Sequence, residues 1–240
     1  MTLQKWMVGA ADPDAKWLYR VGAISALVFA IGYVLTILLF VLAGGLPPGV
    51  GAEARLTYLA QHARAWWGIL GLMVFTDLLL IPLSFALYFA LKGINKGAML
   101  MATACVLLFV ALDLAITWTS YASLITLSSS YAAATSDAQK AVFVAAASYP
   151  TALLDAPHLM GVYTIAIPAV GFLLTSLVML KGVFSKATAY VGVAHSILSF
   201  VSVVGPIFVS SLWHAIIVAS ALMAVWYVLI GCRLHRLVQQ

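Results

Sequence analysis

The chain has 240 residues, of which 65% are hydrophobic and only 8% are charged. Soluble domains carry about 25% charged residues, so this composition excludes a soluble protein and predicts a polytopic membrane protein. The formal net charge of +5 arises from lysines and arginines at the ends of apolar segments, as the positive-inside rule describes. This distribution of charge predicts that the chain lies in a lipid bilayer and has no nucleic-acid partner.

Six apolar segments are long enough to cross a bilayer, which takes roughly 20 residues in helical conformation. The predicted fold is therefore all-α, a polytopic membrane protein with a six-transmembrane-helix bundle and two short outer amphipathic helices. Residues 19–236 form a single transmembrane domain, and residues 1–18 form a cytoplasmic interfacial segment. The predicted transmembrane helices cover about 19–43, 65–91, 98–127, 158–180, 187–209 and 212–232.

The two outer helices are predicted from local patterns. Residues 51–64 follow a strong breaker at 44–49 and have the apolar spacing of an amphipathic helix. Ser136 and Gln139 have the spacing of a capping box, so a second helix is expected to start at Asp137 and to end before Pro150.

The topology follows from the positions of lysine and arginine. The short connections 92–97 and 181–186 each carry two lysines and no acid, and the C-terminal segment carries Arg233 and Arg236. The connections on the other side carry fewer basic residues. This asymmetry predicts a multi-pass protein of the plasma (inner) membrane with both termini in the cytoplasm.

Two aspartates, Asp77 and Asp113, lie near the centres of the second and third predicted helices. A carboxylate at this depth is costly and usually faces the bundle interior or a water-filled cavity. Helices joined by a short turn pack together, so the two carboxyl groups are candidates for a close pair that would not ionise fully. The alternative interpretation is structural: protonated side chains whose hydrogen bonds hold two helices in register.

Other polar residues continue this site. Asp113, Thr117 and Tyr121 recur at helical spacing on one face, and His195 lies inside the fifth helix. The predicted ligand-binding or proton-relay residues are therefore Asp77, Asp113, Thr117, Tyr121 and His195. They favour the binding, transport or sensing of a small apolar or cationic molecule. No nucleotide-binding or hydrolase motif occurs, so no catalytic residue is predicted and the interpretation leans away from an enzyme.

Histidines give an alternative prediction. His62, His158 and His214 lie at or near outer helix ends, and Asp155 is three residues before His158. Imidazole and carboxylate suit zinc, iron or copper, and paired histidines can hold a haem, but no established metal-ligand spacing occurs. The cofactor is therefore left unknown. A third alternative is a scaffold subunit of a larger membrane complex or a homo-oligomer.

Glycines on the first two helices are predicted to let helices approach closely. They are Gly22, Gly32, Gly68 and Gly71.

Three stretches carry a resemblance to known sequences. They are the opening Tyr19-Arg20-Val21-Gly22-Ala23, Asp77 followed by Leu87-Tyr88-Phe89-Ala90-Leu91, and the turn Phe184-Ser185-Lys186. In these the chain resembles an uncharacterised family of bacterial integral-membrane proteins, known only as a domain of unknown function, over about residues 18–236. The resemblance implies six helices and a plasma-membrane location. It implies no activity, and no site residue is carried over from it.

Overall fold

The computed structural model describes residues 15–43 and 50–239, without the side chains of Pro157 and His158. Within this part the secondary structure is helical and contains no strand. All the helices given below except α4 are long and apolar enough to cross a membrane, so the predicted all-α polytopic bundle of six spans is confirmed. The helices are α1 (Lys16–Leu42), α2 (Ala52–Leu91), α3 (Lys96–Ala133), α4 (Asp137–Leu154), α5 (Gly161–Met179), α6 (Lys186–Ile207) and α7 (Ser210–Val238).

Several predicted boundaries differ from the structure. The amphipathic helix predicted for 51–64 is continuous with α2, and a kink at His62 (φ −119°, ψ 15°) separates the two parts. Ser136 caps α4 as predicted, with its Oγ accepting from Gln139 N at 3.3 Å. The predicted end before Pro150 is wrong, because α4 continues to Leu154 although it lacks the one backbone hydrogen bond that proline cannot donate. Residues 1–14 of the predicted interfacial segment and the breaker at 44–49 lie outside the described residues.

The six spans form a ring in chain order. Helix α1 packs on α2, α2 on α3, α3 on α5, α5 on α6 and α6 on α7, and α7 closes the ring against α1. Helix α4 lies outside the ring, against α2 and the second half of α3. Neighbours in the chain are therefore neighbours in space, and the ring surrounds a common centre.

The two ends of the bundle differ in charge and in packing. We call one the basic end, where Arg233 Nε donates to the Val183 carbonyl at 2.6 Å. There a core that includes Tyr19, Leu91, Met179 and Leu234 joins all six spans. The basic side chains at this end are Lys16, Arg20, Lys92, Lys96, Lys181, Lys186, Arg233 and Arg236.

The opposite end, which we call the far end, contains α4, the His62 kink and residues 205–214. A second core there, around Leu56, Trp66 and Leu124, joins helices α1–α4, and Met160 is the only described residue after α4 that packs against it. Helices α1–α4 and α5–α7 are therefore packed together at the basic end and separate toward the far end.

Close helix approach depends on some of the predicted glycines and not on others. Gly22 lies against Ala86, and a Cβ atom at Gly32 would lie 2.7 Å from Thr76 Cγ2. Gly68 and Gly71 have nothing within 4 Å of a built Cβ, so the prediction for this pair is wrong. Both face outward, away from the neighbouring helices.

Two π-helical turns interrupt adjacent spans, at Asp113–Trp118 in α3 and at Gly161–Ala166 in α5. Such turns insert an extra residue and often occur at functional sites. The two turns face each other, since Thr117 Oγ1 lies 3.3 Å from the Tyr163 hydroxyl.

Candidate functional site

A cavity of about 340 Å³ lies at the centre of the ring, and side chains from all six spans line it. This volume falls at the lower end of the range for small-molecule sites, roughly 300–1,000 Å³. Most of the lining is apolar or aromatic, as in Phe109 and Phe172. The ring geometry therefore produces one intramembrane chamber of ligand size.

The five residues predicted as a site all line this chamber. Asp77 comes from α2, while Asp113, Thr117 and Tyr121 come from α3 and His195 comes from α6. The structure thus brings them together; whether they bind a ligand stays a prediction.

The two aspartate side chains form the polar centre of the cavity. Asp77 and Asp113 are each 4% exposed, and their carboxyl groups lie within hydrogen-bonding range of each other. None of the described residues that line the cavity is lysine or arginine. The pair is therefore not neutralised by a basic side chain of the described lining.

The two carboxyl groups are held differently. Trp118 Nε1 donates to Asp77 Oδ2 at 2.7 Å, which makes this oxygen an acceptor. Asp113 Oδ1 is buried and receives no hydrogen bond from a donor group of the described residues. Within the carboxyl pair, the buried oxygen without a donor therefore belongs to Asp113.

His195 presents one nitrogen to the cavity side of α6. Its Nδ1 donates to the Ala219 carbonyl at 2.9 Å, and because a carbonyl only accepts, Nδ1 carries the proton. Phe172 and Trp226 contact the imidazole ring, with centroids 5.7 Å and 6.3 Å away. In the neutral ring, Nε2 is then the free acceptor.

Sequence reasoning missed several polar groups of the cavity. Tyr33 donates to Ser220 Oγ at 2.9 Å, and Tyr227 lines the cavity with a buried hydroxyl that has no partner among the described residues. A tyrosine in the middle of an apolar helix was the available signal for both. Trp118 gave no such signal, because an uninterrupted α-helix would place it off the face of Asp113.

Burial along the cavity wall indicates where it is accessible. Leu80, Phe109 and Tyr227, which lie toward the basic end, are buried, whereas Phe40 and Ile216 toward the far end are half-buried. The cavity is therefore closed toward the basic end and most accessible from the far end, where the two groups of helices separate.

The residues predicted as metal ligands make other contacts. Asp155 forms an ion pair with Arg55 at 2.6 Å, while His62 Nδ1 and His214 Nδ1 contact the backbone carbonyls of Tyr58 and Ser211. The side chain of His158 lies outside the described residues. Among the residues described, no three His, Cys, Asp or Glu side chains are grouped to hold a metal. The metal or haem alternative stays a prediction without support from this geometry.

Comparison with known proteins gave no relative: no protein-family model, no curated protein and no solved structure matches the chain. The resemblance to an uncharacterised bacterial family therefore stays a prediction.

Proposed function

We propose that this membrane protein binds a small organic cation with an apolar body in the central cavity. Asp77 and Asp113 supply the counter-charge, and the aromatic walls contact the apolar part. The observation that carries the proposal is the contact between two buried carboxyl groups in a ligand-sized cavity whose described lining contains no lysine or arginine.

Physical chemistry favours a cation over an anion or a strongly polar molecule. A buried carboxylate without a partner is expensive, and a bound positive charge removes that cost. Trp118, Tyr121 and Phe172 also line the cavity, and a cation over the face of an aromatic ring is attracted by about 0.5–2 kcal/mol. An apolar molecule without charge would use the walls but leave the carboxyl pair unsatisfied.

The test compares two probes of nearly equal shape. Benzyltrimethylammonium is a permanent cation, and neopentylbenzene is its neutral carbon isostere. We expect the purified protein in detergent to bind the cation at least about tenfold more tightly, a difference of roughly 1.4 kcal/mol, and to lose this preference in Asp113→Asn and Asp77→Asn. Asp137→Asn, which removes an exposed acid at the start of α4, is the matched control. Equal affinity of wild type for both probes would contradict the proposal.

We further propose that the basic end faces the cytoplasm of a bacterial cell and that the bundle lies in the plasma membrane. The support is the asymmetry of charge: the far end carries three basic side chains, Arg55, Arg64 and Lys140, beside the acids Glu53, Asp137 and Asp155. The positive-inside rule places the more basic end in the cytoplasm. A fluorescent-protein fusion at the C-terminus should fluoresce, and an alkaline phosphatase fusion there should be inactive; an active phosphatase would reverse the orientation.

A further inference from the structure

We propose that the cavity exchanges one proton for one cation, with Asp113 as the group that gives up the proton. The inference rests on the proposed function and names the chemistry of binding at the same pair. Under this proposal, each cation that binds displaces one proton from the protein.

The geometry divides the work between the two aspartates. Contact between two carboxyl groups is attractive only when a proton lies between them, since two carboxylates at this distance repel. The Trp118 indole donates to Asp77 Oδ2 and so stabilises Asp77 in its carboxylate form. Asp113, with one buried oxygen free of any donor among the described residues, is the group that carries the proton and faces an incoming ligand.

The step conserves atoms and charge. As the cation enters, the O–H bond of the Asp113 carboxylic acid breaks and the proton passes to water in the accessible part of the cavity. The carboxylate that remains becomes the counter-ion of the ligand. Because one positive charge leaves as another arrives, the total charge buried in the bundle does not change, and burying an additional net charge is avoided.

The groups that surround the pair leave few other sources of a proton. Apart from Asp77 of α2, which is the partner of Asp113, the cavity is lined by Tyr33 of α1, Tyr121 of α3 and Tyr227 of α7. Tyr163 of α5 contacts Thr117. The ordinary pKa of a phenol is about 10, well above neutral pH. The remaining candidate is His195 of α6, which the test must therefore separate from Asp113.

The test measures the dissociation constant of benzyltrimethylammonium between about pH 5 and 8, where a histidine also titrates. Because this probe has no proton of its own, any proton released comes from the protein. If one proton leaves for each cation bound, linkage lowers the dissociation constant of wild type by about tenfold for each unit by which the pH is raised. Asp113→Asn should bind more weakly and lose this pH dependence, and His195→Gln should keep it.

Each other outcome overturns a defined part of the inference. Cation binding by wild type without pH dependence overturns the exchange but leaves the proposed function standing. A flat profile in His195→Gln alone moves the proton to the imidazole. If wild type does not bind the cation, the proposed function fails and the exchange fails with it. Should Asp113→Asn not fold, a pH-indicator dye in weakly buffered wild type decides: close to one proton released per bound cation supports exchange, and none overturns it.

Discussion

The indole of Trp118 donates a hydrogen bond of 2.7 Å to the buried carboxyl group of Asp77. A hydrogen bond to a charged group contributes about 1.5–3 kcal/mol. We therefore expect Trp118→Phe, which keeps the aromatic wall, to lower both the thermal stability in detergent and the affinity for benzyltrimethylammonium. The control is Trp67→Phe, since Trp67 is 46% exposed on the same bundle. Equal losses of stability and affinity in the two variants would contradict a contribution of the hydrogen bond from Trp118 to Asp77.

The ion pair between Arg55 and Asp155 leads to a second prediction, on stability, because its two side chains differ in solvent exposure. The Arg55 side chain is 4% exposed and that of Asp155 is 30% exposed, and Arg55 Nε has no partner among the described residues. Removing one member of a buried pair costs about 3–5 kcal/mol when a buried charge remains.

We therefore expect Asp155→Ala, which leaves the guanidinium buried and unpaired, to destabilise more than Arg55→Met, which leaves a carboxylate that water reaches. Thermal unfolding of both variants in the same detergent is the measurement. A larger loss for Arg55→Met would mean that packing of the arginine stem, and not its charge, stabilises this end of the bundle.

The sequence predicted which individual residues line the cavity wherever regular helical periodicity holds. Asp113, Thr117 and Tyr121 were predicted to share a face and all three line the cavity, because they fall at spacings that recur on one side of a helix. Trp118 was missed because the π-helical turn at Asp113–Trp118 changes that spacing. The partner of Asp155 was also out of reach, since Arg55 is distant in the chain and the pair forms only when α2 and α4 pack.

Among the elements, α6 depends on a small residue where it crosses its neighbours. A Cβ atom at Gly192 would lie 2.5 Å from Trp226 Nε1 on α7 and would also meet Ser176 of α5. Overpacking of this kind typically costs about 1–3 kcal/mol. We expect Gly192→Ala to lower the thermal stability and to weaken cation binding, because His195 is one turn further along the same helix.

The matched control is Gly68→Ala on α2. Nothing lies within 4 Å of a Cβ built there, and alanine has a better helix propensity than glycine by about 1 kcal/mol. Unchanged or raised stability is expected for this variant. If both substitutions had the same effect, the close approach of α6 to α7 would not be a stabilising feature.

Element boundaries were predictable only where the chain carries a capping signal. The Ser136 cap fixed the start of α4, whereas Pro150 misled the prediction of its end, since one missing hydrogen bond was outweighed by burial of Leu154 against the far-end core. The merger of residues 52–61 with α2 was likewise invisible, because the helix continues through His62 with a kink and no breaker. Gly68 and Gly71 show the same limit: composition alone does not tell which face of a helix meets a neighbour.

For the whole molecule, closure of the ring in chain order follows from the short connections at the basic end. The connection 92–95 is so short that α2 and α3 must pack side by side, and the connection 180–185 does the same for α5 and α6. The cavity results from the packing at the far end. There α4 lengthens the connection between α3 and α5, and the far-end core joins α1–α4 and includes Met160 but no described residue of α5–α7. The number of spans could be read from hydropathy, but this separation of two groups of helices could not.

The separation predicts one-sided access to the cavity, which cysteine labelling can measure. In a Cys105→Ser and Cys232→Ser background, Ser220→Cys places a thiol on the cavity wall where α7 is half-buried. Ala102→Cys places one among buried residues nearer the basic end. A membrane-impermeant cationic methanethiosulfonate reacts with thiols that water reaches, because the thiolate is the reactive form.

We expect Ser220→Cys to react at least about tenfold faster than Ala102→Cys, and benzyltrimethylammonium to slow the first reaction by occupying the same space. The physical reason is that the core at the basic end joins all six spans, so we expect water and the probe to enter where α1–α4 separate from α5–α7. Faster labelling of Ala102→Cys would place the opening at the basic end. Because the displaced proton is proposed to pass to water in the accessible part of the cavity, that result would also move its exit to the basic end.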